Sequence, residues 1–190
     1  MSTPRALPRL KTPRLTLRIP APEDAALMLD FQLSQRPHLD PWSPKRPDAF
    51  YTEGFWRERL AQHRQEFLDD RSMCLALVHG AGAQAQIVGE VNFRNFVRGA
   101  FQACHLGYAL AAEFEGQGVM TEALQAALPH VFDTLRMHRV MANYMPRNER
   151  SGRLLRRLGF VVEGYARDYL YINGRWEDHV LTALLAPPRP

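Results

Sequence analysis

The chain is short of several things, and each shortage narrows its chemistry. Among 24 basic side chains in 190 residues, only Lys11 and Lys45 are lysines. Nearly all its positive charge is therefore guanidinium, whose planar fork suits phosphate oxygens. It has two cysteines, Cys74 and Cys104, both in apolar, strand-like surroundings. That fits free buried thiols in a reducing compartment better than a disulfide, and their spacing excludes a zinc motif. No segment holds the roughly 18 uninterrupted apolar residues of a membrane span, and the opening MSTPRALPRLK has no apolar run of signal-peptide length. A cytoplasmic location is expected. Repeats and low-complexity blocks are also lacking, so a chain that is 46% hydrophobic is expected to fold as one domain over 10–186. Residues 1–9 would be an N-terminal extension and 187–190 a disordered tail.

What the chain does have centres on FEGQGVMTEAL, Phe114 to Leu124. Gly116 and Gly118 let the backbone approach a ligand closely, and a helical apolar pattern follows at once. The start of such a helix points unpaired N–H groups and a positive dipole end at one spot, which makes an anion site. Two common phosphate folds do not fit. The NTPase loop needs Gly-Lys-Ser or Gly-Lys-Thr, whereas Gly118 is followed by Val119 and Met120, and no metal carboxylate pair compensates. The dinucleotide fingerprint needs a third glycine where Thr121 stands. Arg147, Arg150, Arg153, Arg156 and Arg157 crowd one region, either as a solvated helix face or as anion ligands. The net charge of +4 suits an acidic ligand without being extreme.

Along the chain, Leu15 to Ile19 alternates as a strand, and Pro22, Glu23 and Asp24 open a helix over Ala25 to Leu33. The stretch RPHLDPWSPKRP, Arg36 to Pro47, carries four prolines and is expected to be a shaped loop without regular helix. Its Trp42 reads equally as a substrate contact or a hydrophobic plug. A second helix is expected over Thr52 to Leu68, with His63 near its apolar face. Met73 to Val78, Ile87 to Phe93 and Ala103 to Leu110 read as three antiparallel strands. The helix after Gly118 is interrupted by Pro129, predicting either a bend near Gln125 or a helix re-formed there as two pieces. A strand over His138 to Met145 then completes a right-handed crossover and a parallel pair. Asn148 caps a short helix that Gly159 ends. Asn173-Gly174 joins Tyr165 to Ile172 and Arg175 to Leu185 in a hairpin.

Taken together, LGYAL, EGQGVMTEAL and NERSGRLLRRLGF resemble the acetyl-coenzyme A-dependent N-acetyltransferases of the GNAT superfamily over nearly the whole chain. HLDPWSP, HRVMANYMPRNERSGRLLRRLGF and EGYARDYLYINGRWEDHVLTALL resemble more narrowly the branch that acetylates the N-terminal alanine of a ribosomal small-subunit protein. The resemblance implies an α/β (α+β) fold with a mainly antiparallel sheet, a central splayed parallel strand pair and helices on both faces. Acetyl-coenzyme A would be the cosubstrate, with no metal. The partner would be a ribosomal protein N-terminus, with the ribosome or its assembly intermediates as a further candidate. No membrane and no sequence-specific nucleic acid is expected. Two other functions stay open: acetylation of a small amine, and a non-catalytic coenzyme A-binding module.

The resemblance also implies roles. Gly116, Gln117, Gly118, Met120 and Thr121 would bind pyrophosphate. The superfamily pattern has Arg or Gln, then Gly, then Gly or Ala at the positions held here by Glu115, Gly118 and Met120, and Glu115 is expected to face solvent. Asn148 matches the asparagine that bonds the pantetheine arm, besides being a good cap. Where many members carry a leaving-group tyrosine, seven residues later, this chain has Leu155, so Ser151 is the candidate proton donor. A backbone N–H near Ala109 or Leu110 would polarise the thioester carbonyl. Tyr108 either lines the pocket or packs in the core. His38, Leu39 and Trp42 form the candidate substrate loop. Some relatives carry a glutamate base five residues before the asparagine, and this chain has Asn143 there, which cannot take a proton. An N-terminal amine needs little help, since its pKa of about 8 leaves roughly a tenth neutral at pH 7. Glu90, His105 and Asp168 remain candidate bases through water, and Cys104 a candidate acyl carrier.

Overall fold

The computed structural model describes residues 6–188. The first five residues of the expected extension and the last two of the expected tail lie outside them, and 187–188 carry no regular secondary structure. Eight strands form one sheet: β1 (Arg9–Lys11), β2 (Leu15–Arg18), β3 (Met73–His79), β4 (Gln86–Val97), β5 (Ala103–Leu110), β6 (Arg139–Tyr144), β7 (Val161–Ile172) and β8 (Arg175–Leu185). The helices are α1 (Ala25–Ser34), α2 (Arg36–Leu39), α3 (Glu53–Leu68), α4 (Val119–Pro129) and α5 (Glu149–Arg157). β1 was not expected; three residues with charged ends carry too little alternation to be read as a strand.

The strand order is β1-β2-β3-β4-β5-β6-β8-β7. Only β5 and β6 among these neighbours run parallel, joined by the α4 crossover as the chain order requires. Their pairing covers Ala103↔Arg139, Cys104↔Val140 and His105↔Met141, and then stops. Five more residues of β5 and three of β6 continue without partners across this gap. The mixed, mainly antiparallel sheet with one splayed parallel pair is therefore present.

Helices cover both faces. On one, α4 buries Met120, Ala123, Leu124, Ala127 and Leu128, and α5 buries Leu155, against Leu17, Leu75, Val91 and Phe93 of the sheet. On the other, α1 and α3 bring Met28, Phe31, Trp56 and Leu60 against Ala76, Val78 and Ile87. Burying a side chain of this size stabilises by about 1.5–3 kcal/mol. The hairpin turn has Asn173 at φ 45° and Gly174 at φ 88°, the left-handed pair of a type I′ turn.

One expectation is refined and one is corrected. Pro129 has no N–H and so leaves the Gln125 carbonyl without its helical donor, yet the α-helix runs on past Gln125. The helix reaches Pro129, and the next turn widens over His130–Thr134, where Leu135 N–H bonds to the His130 carbonyl at 3.0 Å. A wide turn is one way a helix relieves the crowding a proline causes. Secondly, the Arg36–Pro47 stretch is partly helical, with one α turn at α2 and a 3₁₀ turn over Asp40–Trp42. Pro37 and Pro41 each sit in a first turn, where a missing N–H costs nothing.

Candidate functional site

A cavity of about 550 Å³ opens where β5 and β6 part. Its floor is main chain. Gly116 and Gly118 adopt φ of 73° and 75°, a left-handed conformation that a side chain disfavours by about 1–2 kcal/mol. Gly118 is the N-cap of α4, so the first amides of that helix face the cavity that Gly118, Val119, Met120 and Thr121 line. Nothing stands within 4 Å of where a Gly116 side chain would begin, leaving room for a ligand against the backbone.

The strand wall can be read peptide by peptide. A Cβ on Gly89 would meet the Ala109 carbonyl oxygen at 2.5 Å, and Ala111 N–H donates to the Val88 carbonyl at 2.8 Å. The peptide groups of Ala109 and Ala111 therefore face β4. Alternation turns those of Tyr108 and Leu110 toward the gap. Of the two candidate thioester donors, Leu110 has its N–H on the right side and Ala109 does not.

α5 closes the cavity. Asn148 Oδ1 accepts from Ser151 N–H at 3.1 Å, an N-cap bond, and Gly152 lets the helix approach the Tyr144 ring, which a Cβ would meet at 2.8 Å. This sets Ser151 Oγ 2.6 Å from the Tyr108 hydroxyl. Burial pushes the Tyr108 phenol up to about 12, so it keeps its proton at neutral pH, and either hydroxyl can donate in that bond. With Tyr108 as donor, the Ser151 proton is free to point into the cavity.

His38 and Leu39 of α2 and Trp42 beyond it line the opposite side. Arg147 places its guanidinium 5.0 Å from the Trp42 ring centroid and donates to Glu177 at 2.8 Å and to the Pro41 carbonyl at 3.3 Å. Asn173 N–H donates to the Ser43 carbonyl at 3.0 Å. The loop is thus fastened both to the α5 entrance and to the β7–β8 turn. The expectation that Glu115 faces solvent does not hold. Its carboxylate accepts from Arg150 and meets His38 Nε2 at 3.2 Å, tying the glycine loop to α2. Partners distant in sequence formed these bonds, so nothing local foretold them.

Other sequence candidates fall elsewhere. Gln117 does not line the cavity; its carbonyl accepts from Arg14 at 3.0 Å and its side chain donates to the Glu113 carbonyl. Asn143 donates to the Tyr169 hydroxyl at 3.1 Å, outside the lining. Asp168 sits in a bulge of β7, with its N–H held by Asp178. His63 is buried, and desolvation drops its pKa to about 3, so it is a packed neutral residue. Cys104 is fully buried, and burial pushes its thiol up to about 12. Glu90 lies opposite Ala109 and Ala76 on the α1/α3 face. Burial raises its carboxyl pKa against the pull of Arg94, Arg46 and an Asn92 hydrogen bond.

The splayed strands, the glycine loop on a helix N-terminus and the capped helix beside them define an acetyltransferase, and the chain belongs to the GNAT family. The acetyltransferase (GNAT) domain matches residues 14–161. The chain is 44% identical to the [ribosomal protein uS5]-alanine N-acetyltransferase of Escherichia coli strain K12, across 94% of this chain and 91% of that enzyme. The crystal structure of ribosomal-protein-S5-alanine acetyltransferase from Vibrio fischeri superposes with a TM-score of 0.91 at 36% identity, covering 96% of this chain and 100% of that one. Mycobacterium smegmatis RimJ, solved in complex with CoA-disulfide, superposes at 0.85 with 29% identity over 96% and 88%. Among the described residues no group of His, Cys, Asp or Glu could hold a metal ion, and no helix is long and apolar enough to cross a membrane.

Proposed function

We propose that this chain transfers acetyl from acetyl-coenzyme A to the N-terminal α-amine of alanine-starting ribosomal protein uS5, in the cytoplasm, by direct attack in a ternary complex. The observation that carries this is the 44% identity to the E. coli enzyme across nearly the full length of both chains, which takes in the glycine loop and the acceptor loop alike.

The residues present fit the cosubstrate. Left-handed glycines and free helix amides suit a pyrophosphate, and the unpaired edges of β5 and β6 suit an extended arm with amides of its own. In this reading Gly116, Gly118, Met120 and Thr121 hold the pyrophosphate, and Asn148 bonds the arm. Leu110 N–H stabilises charge developing on the carbonyl oxygen. The Ser151 hydroxyl protonates the departing sulfur, while Tyr108 O–H, donating to Ser151 Oγ, supports the charge that remains.

The amine arrives on the α1/α3 face, between Trp42 and β4. About a tenth of N-terminal amines are already neutral at pH 7, and Glu90, whose pKa burial raises, takes the attack proton through water. The buried, protonated Cys104 thiol favours direct attack over an acyl-enzyme. Incubation with acetyl-coenzyme A and a uS5 N-terminal peptide should give a single α-N-acetyl product by mass spectrometry. No product there, with turnover on a polyamine, would replace this reading with small-amine acetylation. Coenzyme A binding without turnover on any amine would leave a non-catalytic module.

A further inference from the structure

α5 puts Arg150, Arg153 and Arg157 at steps of three and four, and all three line the cavity. Arg156 does not line it. Their charges are not equally available. Arg150 is committed to Glu115, and Arg153 pairs with Glu149 at 2.9 Å. Arg14, the guanidinium nearest Gly118, is held by Glu122 at 2.6 Å and the Gln117 carbonyl at 3.0 Å. Arg157 has no carboxylate partner among the described residues. Its Nη1 donates to Thr121 Oγ1 at 3.4 Å.

That contact fixes where the spare charge stands. Thr121 lies in the first turn of α4, about 4.5 Å along the axis from Gly118 at 1.5 Å per residue. Arg157 therefore stands beside the pyrophosphate site and displaced from it, on the exposed side. Coenzyme A carries one more phosphate there, a monoester on the 3′ carbon of the ribose attached to the pyrophosphate. We propose that Arg157 binds this 3′-phosphate and makes the site select coenzyme A over its 3′-dephospho form. The inference rests on the acetyl-coenzyme A reading above. A guanidinium gives a phosphate monoester two parallel hydrogen bonds as well as charge, and no carboxylate must first be displaced.

Calorimetric titration of the full chain with coenzyme A and with 3′-dephospho-coenzyme A tests this directly. The unmodified chain should prefer coenzyme A by about tenfold or more. Arg157→Gln should cut that preference to about twofold or less, with dephospho-coenzyme A affinity nearly unchanged. Arg156→Gln, the same charge change off the cavity, should keep the preference. Equal affinity of the unmodified chain for the two ligands would overturn the proposal, as would a preference that survives Arg157→Gln or one lost equally in Arg156→Gln. Failure of the unmodified chain to bind either ligand would instead overturn the acetyl-coenzyme A reading, and this inference with it.

Discussion

The two walls of the cleft are made of different material. The wall we propose for the cofactor is largely main chain: left-handed Gly116 and Gly118, the first amides of α4, and the Leu110 peptide turned into the strand gap. The wall we propose for the acceptor is side chains on a folded loop, with His38, Leu39 and Trp42 held in place by Glu115, Arg147 and the Ser43 carbonyl. A main-chain wall needs only a few residues of fixed type in one stretch. A side-chain wall needs contacts between segments about 80 to 130 positions apart, and it can be retuned for a new acceptor without touching the cofactor.

If the walls divide the work this way, substitutions should divide too. The largest effect is expected at Ser151→Ala, where turnover should fall at least about tenfold while calorimetry shows coenzyme A affinity within about twofold. An unchanged rate would remove the proton from that wall. Glu90→Gln, across the sheet, should lower kcat/KM for peptide by about tenfold near neutral pH. Its carboxyl pKa is raised by burial, so it protonates as pH falls, and the gap between the two proteins should narrow toward acid. A gap independent of pH would argue for a packing role.

Arg147→Ala should loosen the acceptor loop alone, raising peptide KM about three- to tenfold with coenzyme A affinity unchanged. An equal loss on both ligands would show that the walls are one unit. The smallest effect is expected outside the cleft, at Asp24→Asn. The Arg18 guanidinium holds the Asp24 carboxyl below its ordinary range, through bonds at 2.5 and 2.7 Å. The folded pKa being depressed, its contribution of about 1 kcal/mol is present above the unfolded value near 3.9 and lost as pH falls through the folded one. Chemical denaturation should therefore show a difference at pH 7 that shrinks below about pH 4, with kinetics untouched.

The same contrast explains what could be read in the sequence. The parallel pair, the glycine loop, the Asn148 cap and the Asn173-Gly174 turn each rest on short-range rules about glycine, asparagine and alternation, and each stands where those rules put it. Glu115 was misread because its partners are His38 and Arg150, 77 and 35 residues away. Tyr108 stayed ambiguous for the same reason, since its partner Ser151 is 43 residues on. Ala109 and Leu110 could be told apart only once the β4 register was known. The helical turns around Pro37 and Pro41 were hidden by reading prolines as breakers, when at a first turn they are starters.

The central claim, that this cleft acetylates the α-amine of an alanine-starting protein, is tested most directly by one comparison in a mass spectrometer. The uS5 N-terminal peptide is offered with its α-amine free, and again with that amine blocked and its lysines left free. The account predicts one acetyl group on the first peptide, at its α-amine, and none on the second. Acetylation of the blocked peptide, or none of the free one alongside turnover on a polyamine, would contradict it.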